Sequence, residues 1–427
     1  MLGGLIMDNG QWLSNKDLAR ARSSFYYLDS NPDGTERIFF ENAGGSLRLK
    51  AAEDAFHEID SIPDCDGRKH AMAIYLKDIV KKGEDDVRIL FNVKGGTIAT
   101  AQTASQLMYN MVSSVIENAS GSNVVTSILE HPSSFDAAES FSQRTGKELR
   151  IVKSNPLTGG VTPEDVCALV DKNTCLLNIM YASNLTGAIM DIPTIVKMAR
   201  KIKPDIYITV DAVQHAPHAI MDFSDLDIDG VNFAPYKFFG TRGLGVAYLS
   251  ERLAKLPHPK LIQKPEEYWG LGSDSPAQYI VITKILDYVC SFADEQVRRN
   301  RRKAFECGMK KLILQERALL NTMLEGTKEE PGLRKIPGVT VYADNADLTT
   351  RDLIVAIGFD NIKPADATKE YVKRGIVVFD RIDSSMYSAR MLHSFGLTGV
   401  VRVSPLHCHT KEEVLKFLKV TQEIAQL

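Results

Sequence analysis

The chain has 427 residues, of which 44% are hydrophobic and 25% are charged, and its formal net charge at pH 7 is −3. A chain of this size can bury a large core, and its small net charge argues against a nucleic-acid partner. The apolar stretch at residues 1–7 is too short for a signal peptide or a membrane span, and no later run reaches membrane length, so we expect a cytoplasmic protein without a membrane partner.

In chain order, short apolar runs alternate with helical patterns from about residue 75 to residue 255. Helical patterns occur at residues 162–170 and 192–202, among others. The strand-like runs are VVTSIL, ELRIV, CLLNIMY, IYITV, GVNFA and GVAYL. Such alternation predicts an α/β fold with a mainly parallel sheet and helices on both faces.

A second region begins with long helical patterns at residues 276–326, which end at the break KEEPGLRKIPG. Beyond the break, GVTVYA, TRDLIVAIGF and GIVVF predict strands, and residues 411–426 predict an amphipathic helix. This pattern indicates a smaller α+β domain. We therefore predict an N-terminal segment joining the small domain (1–45), a large domain (46–300) and a small C-terminal domain (301–427).

The clearest chemical signal lies where two apolar segments end. The segment 206–210 leads to Asp211, and the segment 230–234 leads to Tyr236, Lys237 and a glycine-rich turn. Ligands of open α/β sheets bind at the carboxyl ends of strands. A lysine there can form an imine with an aldehyde cofactor, and an aspartate can keep a pyridine nitrogen protonated. Taken alone, such a pair is weak evidence, because many chains contain one.

Six motifs follow one another between residues 39 and 414. They are FFENAGGS (39–46), ATAQTASQL (99–107), LEHPSSF (129–135), YASNLTGAIMDI (181–192), VDAVQHAPHAIMDFSDLDIDGVNFAPYKFFGTRGL (210–244) and VVRVSPLHCHTKEEV (400–414). Together they resemble the class V aminotransferases, the family that contains the cysteine desulfurases. The resemblance implies fold type I, an enzyme acting on an amino acid, and pyridoxal 5'-phosphate as its cofactor.

The resemblance also implies roles for individual residues. Lys237 would hold the cofactor covalently and move the substrate α-proton, while Asp211 would bind the pyridine nitrogen. His131 would lie on the cofactor ring and take part in catalysis. The other implied cofactor contacts lie near the phenolic oxygen, in the phosphate loop and beside the lysine: Asn184, Gln214, Gln102, Thr103, Ala104 and Tyr236.

Substrate and partner contacts follow from the same resemblance. Arg402 would bind the substrate α-carboxylate, because a guanidinium can make a bidentate contact with it. The turn on the substrate side contains Asn42, Ala43 and Gly44. In the segment LGSDS at 271–275, Ser273 would reach the phosphate of a neighbouring subunit, which implies a homodimer with shared active sites.

Two departures from the family pattern matter for function. The family often has Ser and His ahead of its lysine, where this chain has Ala234 and Tyr236. Cysteine desulfurases carry a catalytic cysteine about fifteen residues before the carboxylate-binding arginine, and Tyr387 stands at that position here. A phenol cannot carry sulfane sulfur, so the resemblance implies a subgroup without the persulfide cysteine. Tyr387 is then a candidate general acid or lid, with a packing role equally open.

Three functions remain open at this point. The leading prediction is a lyase that eliminates a sulfur substituent from the β-carbon of a cysteine-type amino acid. An aminotransferase or epimerase acting at the α-carbon is the alternative, a decarboxylating variant is also open, and a non-catalytic scaffold is a weaker possibility because Lys237 and Asp211 are both present. The HCH cluster at 407–409 is not expected to bind a metal, because adjacent side chains point in different directions.

Overall fold

A computed structural model gives the fold, and the structure describes residues 9–65 and 67–427. The apolar segment at residues 1–7 lies outside them. No helix among the described residues has the length and apolar character needed to cross a membrane. The α-helices are α1 (Asn15–Ser23), α2 (Lys50–Asp60), α3 (Ala71–Phe91), α4 (Ala104–Asn118), α5 (Pro132–Thr145), α6 (Pro163–Cys167), α7 (Ile192–Ile202), α8 (Glu251–Ala254), α9 (Pro276–Cys290), α10 (Arg301–Glu325), α11 (Pro364–Lys373), α12 (Ala389–Ser394) and α13 (Lys411–Ala425).

The strands form three sheets. They are β1 (Ile38–Phe39), β2 (Thr97–Ala101), β3 (Asn123–Ser127), β4 (Glu148–Val152), β5 (Thr174–Met180), β6 (Tyr207–Asp211), β7 (Gly230–Phe233), β8 (Gly245–Leu249), β9 (Val339–Val341), β10 (Val355–Phe359), β11 (Ile376–Val377), β12 (Phe379–Ile382) and β13 (Gly399–Val403). Short 3₁₀ helices lie at Ala216–His218, Pro235–Lys237, Glu295–Val297, Leu333–Lys335 and Leu348–Thr350.

The large sheet has seven strands in the order β2-β8-β7-β6-β5-β3-β4. All neighbours from β7 to β4 pair in parallel, and β8 pairs antiparallel with both β2 and β7. Every residue of β5 is buried, as expected for a parallel strand covered by helices on both faces. The predicted α/β fold with a mainly parallel sheet flanked by helices is confirmed.

The register of the central strands places polar residues at one edge of the sheet. Met180 at the end of β5 is the partner of Asp211 at the end of β6, and Asp211 is the partner of Asn232 in β7. Because these strands are parallel, their carboxyl ends meet at the same edge, where ligands of such sheets bind. Asp211 therefore reaches this edge because the apolar strand before it is buried in the core.

The smaller sheet is antiparallel, in the order β12-β13-β10-β9, and it carries Arg402 on β13 opposite Ala356 and Phe379. The N-terminal strand β1 pairs in parallel with β11, so the start of the chain contacts the C-terminal region. The predicted strand GIVVF is divided between β11 and β12. The smaller C-terminal sheet domain of the predicted fold is present, while the three proposed boundaries stay a prediction.

Buried histidine and carboxylate pairs join the large-sheet region to the C-terminal part of the chain. His215 Nδ1 lies 3.0 Å from Asp352 Oδ2, and His218 Nδ1 lies 2.8 Å from Glu316 Oε2 on α10. Burial opposes ionisation of Glu316, but the neighbouring His218 and His407 lower its pKa to about 2. Since removing one partner would leave an unpaired buried charge, these pairs hold the regions together.

Candidate active site

A cavity of about 620 Å³ opens at the carboxyl ends of β5, β6 and β7. It is lined by nine of the predicted cofactor residues, which come from five separate segments of the chain. The nine are Gln102, Thr103, Ala104, His131, Asn184, Asp211, Gln214, Tyr236 and Lys237. The fold thus brings together residues that span more than a hundred positions of the sequence.

Lys237 is a buried amine at the end of the 3₁₀ turn Pro235–Lys237. Its Nζ donates to Gln214 Oε1 at 3.3 Å. Burial and the positive charge of Arg402 lower the pKa of Lys237 to about 8, with Asp211 acting in the opposite direction. A substantial fraction of this amine is therefore neutral near physiological pH, as a nucleophile or base requires.

Asp211 is the carboxylate that the cavity presents beside Lys237. Its Oδ1 accepts the Val213 N–H at 3.0 Å. Burial raises the pKa of Asp211, while the Val213 hydrogen bond and Lys237 oppose that effect. A cation bound next to this carboxylate would favour its ionised form, so the position suits a protonated ring nitrogen.

The N-terminus of helix α4 faces the cavity through Thr103 and Ala104. Thr103 is the N-cap, and its Oγ1 accepts the Gln106 N–H at 3.0 Å. At the start of β8, Gly245 packs directly against the backbone of these two residues, where a Cβ atom would overlap the Ala104 nitrogen. Free N–H groups and the positive end of the helix dipole make this corner suitable for a phosphate.

His131 is positioned by a local capping arrangement. It is the N-cap of α5, and its Nδ1 accepts the Ser133 N–H at 3.2 Å and lies 2.7 Å from Ser133 Oγ. Burial and the positive charge of Lys237 lower the pKa of His131 to about 3. The ring is therefore neutral over the whole physiological range, and it adds no charge to the cavity.

Two amide side chains in the cavity wall have unsatisfied polar atoms. Asn184 Oδ1 and Asn232 Oδ1 are buried and make no hydrogen bond within the described residues. Buried polar atoms without partners are costly, and they often mark a place where a ligand completes the network. Asn184 and Gln214, the two residues predicted to face a phenolic oxygen, both line the cavity.

The sequence comparison identifies the family to which this site belongs. A family model described as Aminotransferase class-V matches residues 38–268, which is 231 of the 427 residues. The chain belongs to the class-V aminotransferase family. Its relatives include a probable cysteine desulfurase of Mycoplasma genitalium, 24% identical over 94% of this chain and 95% of the relative. A probable cysteine desulfurase of Borreliella burgdorferi is 24% identical over 75% of this chain and 82% of the relative.

Solved structures of class-V relatives have the same fold. A cysteine desulfurase from Thermococcus onnurineus NA1 in its apo form matches with a TM-score of 0.77 and 20% identity over 98% of this chain and 99% of that one. The cysteine desulfurase CsdA from Escherichia coli matches with a TM-score of 0.78 and 20% identity over 97% and 99%. These structures confirm the fold type I assignment, and the family match with its relatives confirms a cysteine desulfurase-like enzyme that uses pyridoxal 5'-phosphate.

The residues of the cavity fit the class-V cofactor. A buried amine with a lowered pKa is available for the aldehyde, and Asp211 is available for the ring nitrogen. The N-terminus of α4 offers donors to a phosphate, and the unsatisfied Asn184 amide offers a partner for a ring substituent. Among the described residues that line the cavity, Lys237 is the one lysine, so it is the amine available to the aldehyde.

Arg402, the residue predicted to bind the substrate carboxylate, is buried and holds an internal carboxylate. Its Nη2 donates to Glu41 Oε1 at 2.6 Å, and its Nη1 donates to the Asn184 carbonyl at 2.9 Å. Its Nε makes no hydrogen bond within the described residues. Gly44 makes room for Glu41, because a Cβ at position 44 would overlap that carboxylate. Arg402 is outside the set of residues that line the cavity.

The remaining predicted substrate residues support the backbone around this ion pair. Asn42 Nδ2 donates to the Ser404 carbonyl at 3.0 Å, and its Oδ1 accepts the Leu47 N–H at 3.1 Å. Ala43 N–H donates to Ser404 Oγ at 3.0 Å. These contacts fix the substrate-side turn against β13. None of Asn42, Ala43 and Gly44 is among the described residues that line the cavity.

Tyr387 lies on an exposed loop near the cavity. Its side chain is 54% exposed, and its ring centroid is 6.0 Å from that of His131. Arg381 holds this loop, since its Nε donates to Ser388 Oγ and its Nη2 donates to the Tyr387 carbonyl, both at 2.6 Å. Arg390 on α12 donates to the Glu130 carbonyl at 2.7 Å. The loop of Tyr387 is thus tied across to the strand ends that carry the cofactor site.

Ser273 is exposed and does not line the cavity of its own chain. This location is compatible with the predicted role in a neighbouring subunit, which stays a prediction. Within the ranges 9–65 and 67–427, no cluster of three or more His, Cys, Asp or Glu side chains is arranged to hold a metal ion.

Several residues with strong effects on the site lack any sequence signal of their own. Glu41, Arg242 and Arg381 resemble ordinary surface charges until the fold is known. Glu130 precedes His131 in the LEHPSSF motif, and His131 is predicted to contact the cofactor ring. This neighbouring position is the sequence signal that places Glu130 near the site. Their roles depend on contacts between distant segments, which spacing along the chain does not encode.

Proposed function

We propose that this enzyme eliminates a sulfur substituent from the β-carbon of a cysteine-type amino acid and forms no persulfide. The observation that carries the proposal is Tyr387, which stands near His131 where the family resemblance expects a catalytic cysteine. Among the described residues, no cysteine lines the cavity. A thiolate that leaves directly needs no cysteine nucleophile, so these features favour elimination over sulfur transfer.

Lys237 and Asp211 would hold the cofactor and support the proton transfer. Pyridoxal 5'-phosphate supplies an aldehyde for a covalent link and a ring that withdraws electrons from the substrate α-carbon. Lys237 Nζ, with its pKa lowered to about 8, would accept the α-proton. Asp211 would keep the ring nitrogen protonated through a charged hydrogen bond.

The bond changes in this elimination balance without an added oxidant or reductant. The α C–H bond breaks and its proton moves to Lys237 Nζ, the Cβ–S bond breaks, and the electron pair leaves on sulfur as a thiolate. Hydrolysis of the remaining three-carbon enamine gives pyruvate and ammonia. Tyr387 would donate a proton to the departing sulfur or cover the substrate.

Arg402 would bind the α-carboxylate after Glu41 has moved aside. Glu41 and a substrate carboxylate have the same charge, so both cannot make the short contact with Arg402 at once. Arg402 Nε has no partner within the described residues and offers an additional donor. An exchange of one carboxylate for another preserves the charge balance of the buried guanidinium.

The test is a substrate panel with product analysis. Purified, cofactor-loaded protein is mixed with cysteine, S-substituted cysteines, their sulfoxides and amino acids that lack a β-leaving group. The proposal expects continuous release of pyruvate and ammonia, without an added keto acid, from sulfur-containing members alone. Alanine as the product would instead indicate desulfuration, and conversion of the cofactor to its amine form after one turnover would indicate transamination.

Matched variants separate the roles of the residues. Lys237→Ala should lose pyruvate release, and retention of turnover would contradict the assignment of Lys237. Tyr387→Phe keeps the ring and removes only the hydroxyl. We expect it to slow elimination of poor leaving groups more than good ones if the hydroxyl donates a proton. An equal effect on all leaving groups would assign Tyr387 to covering or packing.

We also propose that the enzyme is a homodimer in which Ser273 completes the neighbouring site. The segment around Ser273 carries exposed apolar side chains, among them Ile262 at 90% and Leu271 at 57% exposure. A complementation assay tests this arrangement. Lys237→Ala and Ser273→Asp subunits are each impaired alone, and mixed dimers should regain one intact site. Absence of recovery in dimers shown to have mixed composition would refute the shared site.

A further inference from the structure

Arg242 is a cation at the cavity wall that has no counter-ion among the described residues. It is an exposed residue that lines the cavity, and its guanidinium lies 4.6 Å from the centroid of the Tyr236 ring. In the part of the chain that the structure describes, it makes no hydrogen bond or ion pair. The aromatic contact orients the guanidinium but leaves its N–H groups free for an acceptor.

The neighbouring turn makes room for this guanidinium. A Cβ at position 45 would lie 2.8 Å from Arg242 Nη2, so Gly45 permits the close approach. Gly45 follows directly after the predicted substrate residues Asn42, Ala43 and Gly44. Arg242 therefore belongs to the substrate side of the cavity.

A second arginine increases the positive charge at this position. Arg48 Nη1 donates to the Tyr236 carbonyl at 2.7 Å, and burial and the nearby Arg242 lower the pKa of Arg48. The carboxylate facing Arg48 is Glu53 at 3.9 Å, which has no contact with Arg242. Two cations that repel each other are stabilised when an anion binds beside them.

We propose that Arg242 binds a second anionic group, located on the β-substituent of the substrate, so that the preferred substrates are acidic cysteine-type amino acids. This inference rests on the proposed function for the reaction, and it adds the substrate class. Arg402 takes the α-carboxylate, and Arg242 takes a carboxylate or another oxyanion at the far end. A guanidinium can make two parallel hydrogen bonds to such a group.

The cofactor phosphate is the other possible source of this anion. The free donors at the N-terminus of α4 already suit a phosphate, whereas Arg242 contacts Gly45 and Tyr236. The contacts of Arg242 therefore favour the substrate over the cofactor. An experiment must nevertheless measure both affinities, because the two oxyanions offer the same chemistry to a guanidinium.

The test compares two ligands that differ only in charge and cannot undergo elimination. In L-2-aminoadipate a methylene replaces the sulfur of S-carboxymethyl-L-cysteine, and its 6-amide is the neutral counterpart. Their affinities for the cofactor-loaded protein are measured from the change in visible absorbance of the bound cofactor. We expect the acid to bind roughly ten-fold more tightly than the amide, as for a charge-assisted pair of hydrogen bonds.

Variants assign that preference to Arg242. Arg242→Gln should bring the ratio of acid to amide affinity close to one, and Arg242→Lys should restore part of it. Arg299→Gln removes the same charge from an exposed position at the start of the α10 region, and it should leave the ratio unchanged. The cofactor dissociation constant of Arg242→Gln should equal that of the unmodified protein.

Two results would overturn the inference. One is an acid-to-amide ratio near one in the unmodified protein, or a ratio that Arg242→Gln does not change. The other is weaker cofactor binding in Arg242→Gln with an unchanged ratio, which would assign the guanidinium to the phosphate. Because the ligands carry no leaving group, the measurement remains valid if the lyase reaction itself is refuted by the substrate panel.

Discussion

We predict that Glu130 holds a proton at neutral pH and that Glu130→Gln therefore preserves the structure around the cofactor site. Glu130 is fully buried, and burial raises its pKa to about 8, with the negative charge of Asp211 acting in the same direction. Its Oε1 accepts Ser127 Oγ at 2.6 Å and the Met180 N–H at 2.9 Å, which oppose the shift. Glutamine can keep both acceptor contacts because it has the shape of the neutral acid.

The size of the pH effect on stability follows from the coupling between proton binding and folding. The shift from 4.5 to about 8 makes the folded protein bind this proton more tightly than the unfolded chain. The stabilising contribution is complete below pH 4.5 and is lost as the pH rises towards 8. At 1.36 kcal/mol per pKa unit, the full shift lowers the free energy of unfolding by about 5 kcal/mol as the pH rises from below 4.5 to above 8. Glu130→Gln has no titrating carboxyl at this position, so it lacks this loss. As the pH rises, its free energy of unfolding should therefore increase by the same amount relative to that of the unmodified protein.

Infrared titration measures the protonation directly. The C=O band of a neutral carboxylic acid should appear in the difference between the unmodified protein and Glu130→Gln at pH 6, and it should disappear with a midpoint near 8. Glu316→Gln is the matched control, because that buried carboxyl has its pKa lowered to about 2 and should show no such band above pH 4.5. A midpoint near 4.5 for Glu130 would refute the reasoning.

Three further changes test the charges of the site. In cofactor-free protein, burial lowers the pKa of Lys237 from 10.5 to about 8, so the unfolded chain binds more protons between pH 8 and 10.5. The free energy of unfolding should therefore rise by about 3 kcal/mol as the pH rises through this range. Urea unfolding of Lys237→Met should lack that rise, and an identical pH profile for the variant would contradict the shifted pKa of Lys237. Glu41→Gln should strengthen the binding of ligands with an α-carboxylate roughly ten-fold in absorbance titrations, because the variant loses a charged competitor for Arg402. Weaker binding would mean that Glu41 helps to bind the substrate. Gly44→Ala should lower the free energy of unfolding by about 1–3 kcal/mol, because its Cβ overlaps the Glu41 carboxylate, and unchanged thermal stability would show that the turn adapts.

The fold and the centre of the cofactor site could be predicted because both depend on local patterns. Alternating apolar runs predict the parallel sheet, and the end of each run fixes where the next polar residue emerges. Asp211 and Lys237 therefore reach the same edge by topology. The phosphate corner was equally accessible, since Thr103 is a favourable N-cap before the helical pattern of α4.

The substrate side could not be predicted in the same way. Glu41 and Arg402 are 361 positions apart, and their ion pair exists because β1 and the following turn pack against β13. Arg242 lies in a glycine-rich turn, where a solvated role is the ordinary expectation. Its position over Tyr236 follows from the path of the loop after Lys237, which no periodic pattern specifies.

The helices before the sheet were also missed, for a different reason. Helices α2 (Lys50–Asp60) and α3 (Ala71–Phe91) precede the large sheet, and exposed apolar residues such as Ile74 obscure the amphipathic pattern of α3. Helix α3 contains a glycine, Gly83, which lowers its intrinsic helix propensity. That glycine is required by packing, because a Cβ there would lie 2.7 Å from Tyr279 Cβ on α9. Tertiary contact thus overrides local propensity.

The positions of the charged side chains around the cavity restrict how the cofactor and an amino acid could bind. On the sheet side, Asp211 is the carboxylate that lines the cavity and is available to a cationic ring, while burial raises the pKa of Glu130 to about 8. The cations Arg402 and Arg242 contact different groups, Arg402 the Glu41 carboxylate and Arg242 the Tyr236 ring. If both take the proposed roles, a dianionic amino acid would bind with one anionic group at each guanidinium, and that double contact would restrict its orientation in the cavity.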